Sequence, residues 1–117
     1  MKNFISTSEW SKEELQDILD YSKDLKDNKF QETLKNKSIA LLFFNPSMRT
    51  RTSFEIGIQE LGGYAVVLHP GKDAWPIEFK LNSVMDSESE EHIIEVAGVL
   101  SEYCDLIAIR AFPKFIN

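Results

Sequence analysis

Residues 38–44 of the chain read SIALLFF, an almost unbroken apolar run that Asn45 and Pro46 bring to an end. A run of this length and composition predicts a β-strand that is covered on both faces, as strands of parallel sheets are. Such a strand needs partners, because a parallel sheet is built with crossover helices that pack on its faces. The run therefore favours folds in which helices and strands alternate.

The rest of the chain supplies that alternation. Three stretches carry apolar residues at helical spacing, and two shorter apolar runs have the length of strands. In chain order the predicted elements are a helix over 11–28, the strand over 38–44, a helix over 48–61, a strand over 64–68, a long loop over 72–86, a helix over 89–103 and a strand over 105–109. This order predicts an α/β fold of three layers, a parallel sheet with helices on both faces and right-handed crossovers.

Local signals support the predicted helices. Ser11 and Glu14 have the spacing of a capping box, and Trp10 and Leu15 have that of a hydrophobic staple. The two glycines at 62–63 predict the end of the second helix. The side chains expected to face inward are Phe54, Ile58 and Leu61 in the second helix and Ile93, Val96, Ala97, Leu100 and Cys104 in the third.

Length and composition are those of one ordinary soluble domain, with 117 residues, 43% of them hydrophobic and 27% charged. Thirteen basic and nineteen acidic residues give a net charge of −6, which argues against an extended nucleic-acid surface. The single cysteine, Cys104, excludes an internal disulfide, and no cysteine–histidine spacing indicates zinc. The chain carries no signal-peptide pattern and no apolar stretch of the ~20 residues that span a bilayer, so we expect a cytoplasmic protein.

Open parallel sheets bind ligands beyond the carboxyl ends of their strands. At that edge of the predicted sheet we expect three parts of the chain to converge: the segment 45–51, the loop 70–76 and Arg110, which follows the last strand. This convergence follows from topology, and it directs attention to the chemistry of these segments.

The start of the second predicted helix carries the residues of an anion site. The first N–H groups of a helix have no partner within the helix and lie at its positive end, where a phosphate can accept them. Ser47 is a predicted N-cap, Thr50 and Thr52 add hydroxyl groups, and Arg49 and Arg51 add guanidinium groups that bind phosphate oxygens in pairs.

A purely structural interpretation of this segment remains open. Two arginines in a first helical turn are unfavourable unless an anion or a carboxylate neutralises them. A serine-capped helix whose arginines pair with the chain's own carboxylates explains the local features equally well. The phosphate-binding patterns of nucleotide P-loops and of dinucleotide folds do not occur.

Residues 43–55 read FFNPSMRTRTSFE and are followed by LGG at 61–63. This segment resembles the carbamoyl-phosphate signature of the aspartate/ornithine carbamoyltransferase family. The family usually has Ser-Thr-Arg-Thr-Arg, whereas here Met48 replaces the first threonine, an exchange that removes a hydroxyl group but keeps the backbone N–H. Met48 and the segments 70–79 (PGKDAWPIEF), 90–93 (EEHI) and 110–113 (RAFP) are similar to the N-acetylornithine carbamoyltransferase branch.

The resemblance implies transfer of a carbamoyl group from carbamoyl phosphate to the δ-amine of N-acetyl-L-ornithine, a step of arginine biosynthesis, without a cofactor or a metal. It implies that Thr50 and Arg110 reach the carbonyl oxygen, and that Arg49, Thr50 and Arg110 are the catalytic residues. The implied phosphate contacts are Ser47, Met48, Arg49, Arg51 and Thr52.

Three further residues take roles through the resemblance. A loop tryptophan is ordinarily a packing residue, but the resemblance implies that Trp75 contacts carbamoyl phosphate in the neighbouring subunit of a homotrimer. Glu90 would lie near the acyl group of the amino-acid substrate, and Phe112 would border the substrate pocket. His92 is interpreted as structural, and His69 has no evident catalytic partner in the sequence.

The family's His-Pro-x-Gln segment and its amino-acid-binding domain do not occur within the 117 residues. We therefore expect the chain to be the carbamoyl-phosphate-binding domain, truncated at its C-terminal side and inactive by itself. Ornithine and N-succinylornithine remain alternative acceptors. A non-catalytic phosphate-binding α/β module remains the alternative from another functional class.

Overall fold

The computed structural model describes residues 2–72, 77–78 and 91–112. By its internal contacts the chain forms two compact units, Met1–Phe30 and Gln31–Asn117. The first unit contains a single α-helix. The second contains the sheet and the site.

In the first unit, a 3₁₀ turn (Thr7–Glu9) precedes helix α1 (Lys12–Asp27). The predicted capping box is confirmed: the Ser11 hydroxyl accepts the Glu14 N–H at 3.0 Å, and the Glu14 carboxylate accepts the Ser11 N–H at 2.9 Å. The bond from the Ser11 N–H lowers the pKa of the Glu14 carboxyl group. The staple stays a prediction; the Trp10 ring stands against Phe4 and the ammonium group of Lys2.

The apolar face predicted for α1 is only partly covered. Leu15 and Leu25 are half-buried, whereas Ile18 and Leu19 are 40% and 59% exposed. None of the residues of α1 is fully buried. Helical spacing thus located the helix correctly, but it did not tell which of the apolar residues would be enclosed.

The second unit contains a three-stranded parallel sheet of strands β1 (Ser38–Phe43), β2 (Tyr64–Leu68) and β5 (Leu106–Arg110), in the order β2-β1-β5. All six residues of the central strand β1 are buried, as its composition predicted. From its apolar composition we expect the strand over 64–68 to be buried as well. Strand β2 is instead half-buried, with Tyr64 61% exposed, because it pairs along one side only among the described strands.

Helix α2 (Arg49–Glu60) packs on the sheet chiefly through Ile58, which joins Ile39, Leu41 and Phe43 in the core. Phe54 was expected to face inward and is instead 46% exposed. The reason is geometric, since the contact with the sheet is made near the C-terminal end of the helix, one turn beyond Phe54.

The end of α2 has the hydrogen bonds of a Schellman motif. The Gly62 N–H donates to Gln59 O at 3.0 Å, and the Gly63 N–H donates to Ile58 O at 3.0 Å. Gly62 has a φ of +91°, in the left-handed region that glycine reaches without strain. The predicted helix stop is confirmed at these two glycines.

Helix α3 spans Ile93–Tyr103 and so begins later than predicted. Residues 91–92 form strand β4, which pairs in parallel with β3 (Ile77–Glu78), the short extended piece of the predicted loop. This pairing takes residues 91–92 out of the helix. Val96 is buried as expected, but Ala97 is exposed, because the face of α3 that is covered is narrower than its apolar stripe.

From the central strand β1 the chain passes through α2 to β2 on one side, and from β2 it passes through α3 to β5 on the other side of β1. Right-handed crossovers then require α2 and α3 to lie on opposite faces of the sheet, which is the three-layer α/β arrangement predicted from the sequence. Over the described ranges, no helix is long and apolar enough to cross a membrane.

The positive φ of Gly62 yields a test of the helix stop. A β-carbon at Gly62 would lie 3.4 Å from backbone atoms of Lys35 as well as in the left-handed region, so we expect Gly62→Ala to lower the free energy of unfolding by about 1–2 kcal/mol. Gly57 is the matched control, since a β-carbon there meets nothing within 4 Å and its position is inside α2. Gly57→Ala should raise stability by about 0.5–1 kcal/mol. Urea unfolding followed by circular dichroism measures both, and equal shifts in one direction would contradict the assignment.

Candidate functional site

The three parallel strands end level with one another. In the sheet register Phe43 lies opposite Arg110, and Leu42 lies opposite Leu68. The Phe44 N–H continues the pairing past the end of β1 by donating to Arg110 O at 3.0 Å. The segments that follow β1, β2 and β5 therefore emerge at one edge of the sheet, as the topology predicted.

Ser47 caps the start of α2, but it lies one residue before the N-cap position that was predicted for it. The cap position itself is held by Met48, which is in the right-handed helical region and makes no side-chain capping bond. The Ser47 hydroxyl accepts the Thr50 N–H at 3.2 Å, the same three-residue relation as in the capping box of α1. The local chemistry expected of Ser47 is thus present, although the helix boundary differs by one residue.

Some backbone N–H groups at the start of α2 remain available as hydrogen-bond donors to a ligand. The first α-helical bond is donated by the Thr52 N–H to Met48 O at 2.9 Å. The N–H groups of Arg49 and Arg51 have no acceptor within the described residues. The first turn contains no acidic residue. The positive end of α2 is therefore not occupied by a carboxylate from its own first turn.

Arg110 reaches across from the end of β5 to the start of α2. Its Nη1 donates to the Thr50 hydroxyl at 2.8 Å, and its guanidinium group lies 4.7 Å from the centre of the Phe112 ring. The Nε atom of Arg110 is buried without a hydrogen-bond partner in the part of the chain that is described. A strand-terminal arginine often extends into water, but this one joins two segments that are sixty residues apart in sequence.

The loop after β1 and the segment after β5 are tied together by a second contact. The Phe112 N–H donates to the Asn45 side-chain oxygen at 2.7 Å. This bond holds the backbone that follows Arg110 against the loop that leads into α2. The Phe112 ring itself is 57% exposed and lies against the Arg110 guanidinium group.

The two arginines of α2 have different surroundings. Arg51 is half-buried; its Nη1 lies 3.2 Å from His69 Nε2, and its Nε lies 3.5 Å from a carboxylate oxygen of Glu55. Arg49 is exposed and makes neither an ion pair nor a hydrogen bond through its side chain with any residue that the structure describes. The structural interpretation of the arginines therefore applies in part to Arg51 and gains no support at Arg49.

Two neighbours of Arg51 were not predicted from the sequence. Glu55 follows it by four residues, the helical spacing of an ion pair, so the signal was present in the sequence. His69 stands eighteen residues away at the end of β2, and only the parallel pairing of β1 with β2 brings it to Arg51.

The site is locally basic in an acidic chain. Arg49, Arg51 and Arg110 lie at the edge formed by the strand ends, and Glu55 is the carboxylate that pairs with one of them. Within the described ranges, no group of three or more histidine, cysteine or acidic side chains is arranged to hold a metal ion. The arrangement offers backbone N–H, hydroxyl and guanidinium donors, which is the chemistry of an oxyanion or phosphate site.

A shallow groove of about 560 Å³ runs along the exposed side of α2 and includes Met48, Arg49 and Thr52. It continues toward Ile56, away from the strand ends. Thr52 and Met48 are exposed here. Trp75 and Glu90 fall outside the described residues.

Comparison with known families agrees with this geometry. The family model described as "Aspartate/ornithine carbamoyltransferase, carbamoyl-P binding domain" matches residues 2–116. Among curated proteins, the N-acetylornithine carbamoyltransferase of Xanthomonas campestris pv. campestris is 62% identical over 117 residues, which are all of this chain and 34% of that protein. The N-succinylornithine carbamoyltransferase of Bacteroides fragilis is 35% identical over 106 residues, or 89% of this chain and 33% of that protein.

Solved structures give the same result. A crystal structure of acetylornithine transcarbamylase complexed with acetylcitrulline has a TM-score of 0.94 and 62% identity, and a variant of N-acetyl-L-ornithine transcarbamylase complexed with carbamyl phosphate and N-succinyl-L-norvaline has a TM-score of 0.95 and 61% identity. Both matches cover the whole chain and 35% of the solved chain. The chain thus spans about a third of the length of these relatives, and it belongs to the aspartate/ornithine carbamoyltransferase family through its carbamoyl-phosphate-binding domain.

Proposed function

We propose that this chain supplies the carbamoyl-phosphate site of an N-acetylornithine carbamoyltransferase. The observation that carries the proposal is the start of α2, whose first turn contains no acidic residue and carries Arg49 and the hydrogen bond between Thr50 and Arg110. A helix start with spare donors and nearby guanidinium groups suits a dianionic phosphate. The identity of 62% to an N-acetylornithine carbamoyltransferase supports the choice within the family.

In this proposal the phosphate group binds at the N-terminal end of α2. It accepts hydrogen bonds from the first backbone N–H groups, including that of Met48, and from the guanidinium groups of Arg49 and Arg51. Ser47 and Thr52 add hydroxyl groups at its sides. Because a guanidinium group stays charged at every working pH, the strength of these contacts does not depend on the protonation of the arginines.

The carbonyl oxygen of carbamoyl phosphate then faces Thr50 and Arg110. These two side chains are already joined by a bond of 2.8 Å, so a substrate oxygen would meet donors that are oriented before it binds. Donors that are fixed in advance stabilise charge as it develops in the transition state.

The reaction consistent with this site is attack of the neutral δ-amine of N-acetyl-L-ornithine on the carbonyl carbon. A tetrahedral intermediate forms, its negative oxygen is stabilised by Thr50 and Arg110, and its collapse releases phosphate, whose charge Arg49 and Arg51 neutralise. The departing phosphate takes up the proton that the amine loses, and N-acetylcitrulline is formed. The chain's contribution is orientation and charge stabilisation, and no covalent bond to the protein is required.

The remaining assignments of the proposal rest on the family resemblance. Glu90 lies near the acyl group of the acceptor, Phe112 borders its pocket, and Trp75 contacts carbamoyl phosphate bound in the neighbouring subunit. The protein then works as a homotrimer, in the cytoplasm, in the biosynthesis of arginine. The exposed Phe112 ring beside Arg110 supports its part of this assignment.

The choice of acceptor is tested by joining this chain to the segment of the Xanthomonas campestris enzyme that follows the aligned third. We expect the fusion protein to carbamoylate N-acetyl-L-ornithine at least tenfold faster, in kcat/KM, than ornithine or N-succinylornithine, because a pocket that is built to bind one acyl group discriminates by roughly 10–200-fold. Colorimetric detection of the citrulline product with each amine gives the comparison, with the Xanthomonas enzyme as reference. A preference for ornithine would assign the chain to another branch.

The phosphate contacts are tested by calorimetry of the chain with carbamoyl phosphate. Removing a charged hydrogen-bond donor costs about 1.5–3 kcal/mol, so Arg49→Ala and Arg51→Ala should each weaken binding by roughly 10–100-fold. Ser53→Ala is the matched control on the same helix, since its hydroxyl bonds only to Thr50 O and is exposed. If the parent chain bound no better than the arginine variants, the helix start would not be the phosphate site.

The proposed catalytic roles of Thr50 and Arg110, called the catalytic pair, are tested in the fusion protein with the variants Thr50→Val and Arg110→Lys. Each variant removes a donor to the developing oxyanion, and kcat should fall by about 10²–10³-fold. The KM for N-acetyl-L-ornithine should change much less, because neither side chain is assigned a contact with the acceptor. A loss confined to KM, with kcat equal to that of the Ser53→Ala control, would contradict the role assigned to the pair.

A further inference from the structure

His69 is the first residue beyond β2, at the same edge of the sheet as the helix start. Its ring is stacked on Phe43, the last residue of β1, with ring centroids 5.7 Å apart and an interplanar angle of 18°. Phe43 is 4% exposed and belongs to the core. The imidazole of His69 is therefore packed against a buried side chain of the core.

The backbone of His69 is fixed as well. It is the first residue of a turn through Pro70 and Gly71, closed by the Lys72 N–H, which donates to His69 O at 2.8 Å. Proline at the second position and glycine with a φ of +88° at the third are the residues that a type II turn requires. The position of the ring is thus determined from both the strand and the turn.

The contact between Arg51 and His69 determines the protonation state of the histidine. Arg51 Nη1 lies 3.2 Å from His69 Nε2. A guanidinium group only donates hydrogen bonds, so Nε2 must accept, and a histidine nitrogen accepts only when it carries no proton. The bond therefore requires a neutral imidazole with its proton on Nδ1.

The two contacts of Arg51 constrain its guanidinium group from two elements. Glu55, on the same helix, lies 3.5 Å from Nε, and His69, at the end of β2, lies 3.2 Å from Nη1. Among the described residues, Nη2 and the second Nη1 proton have no acceptor and are left as donors. A guanidinium group held at two points loses less rotational freedom when an anion binds to the remaining donors.

We propose that neutral His69 is a positioning residue, which orients Arg51 so that its remaining donors bind the phosphate of the substrate. The proposal rests on the phosphate-binding role of Arg51 proposed above. An imidazole with protons on both ring nitrogens could not accept this bond and would place two cations in contact, so only the neutral ring can orient Arg51 in this way. Charged residues described near His69 include Arg51 of α2, which also pairs with Glu55, and Lys72 of the turn; β1 contributes the uncharged Phe43.

The tautomer of His69 gives a direct test in the 117-residue chain. Long-range ¹H–¹⁵N correlation spectra at about pH 8, above the range in which histidine usually titrates, distinguish a proton on Nδ1 from one on Nε2. The chain contains two histidines, and the signal that disappears in His69→Gln identifies the one of interest. We expect the proton on Nδ1. A proton on Nε2 would overturn the proposal whether or not the chain binds phosphate.

The effect on Arg51 is measured with sulfate, a dianion that resembles the phosphate group in charge. We expect His69→Gln to keep the sulfate affinity of the parent chain within about twofold at about pH 8, because glutamine supplies an accepting oxygen in place of Nε2. His69→Ala supplies no acceptor and should weaken sulfate binding roughly tenfold.

A double-mutant cycle separates positioning from a merely structural role. His69→Ala should weaken sulfate binding in the parent chain but not in Arg51→Ala, because the histidine acts through that arginine. Equal losses in both backgrounds would overturn the proposal. If neither the parent nor any variant bound sulfate or carbamoyl phosphate, the proposed function would fail, and the tautomer alone would then decide whether His69 holds Arg51.

Discussion

The parallel pairing of β1 with both of its neighbours is the constraint on which the site depends. All six residues of this strand are buried, and its register with β2 and β5 brings the three strands to an end at the same level. Each strand continues into a segment with polar or charged groups. The pairing of the buried strand β1 with its neighbours therefore brings polar and charged side chains from distant parts of the chain to one edge of the sheet. A shift of one residue in either register would move Arg110 or His69 away from the start of α2.

The gathered groups form two contacts of different character. Arg110 and Thr50 join the end of β5 to the first turn of α2, close to where a reacting carbonyl group is proposed to lie. Arg51 joins the body of α2 to the end of β2 through His69 and is partly neutralised by Glu55. Arg49, the first residue of α2, keeps its charge unpaired among the described residues. A phosphate at the helix start would therefore meet one unpaired cation and two that are already oriented.

The donors of the candidate site are fixed by the sheet rather than by the helix alone. Backbone N–H groups are available at the start of any helix, and by themselves they give no specificity. The guanidinium groups of Arg110 and Arg51 are oriented by contacts with other elements. In the proposed function, selectivity would therefore depend on tertiary contacts, while the general attraction for anions is local.

The sequence by itself determined the elements whose cause is local. The buried strand at 38–43, the capping box of Ser11, the glycine stop at 62–63 and the parallel α/β order were all readable, because apolar runs, caps and turns act over a few residues. Only the tertiary structure decided which apolar residues are enclosed, as at Phe54 and Ala97, and where α3 begins, since residues 91–92 pair with a strand. It also decided that His69 meets Arg51 and that Arg110 meets Thr50. These contacts join residues 18 and 60 positions apart, and no local preference encodes such a distance; the register of the sheet does.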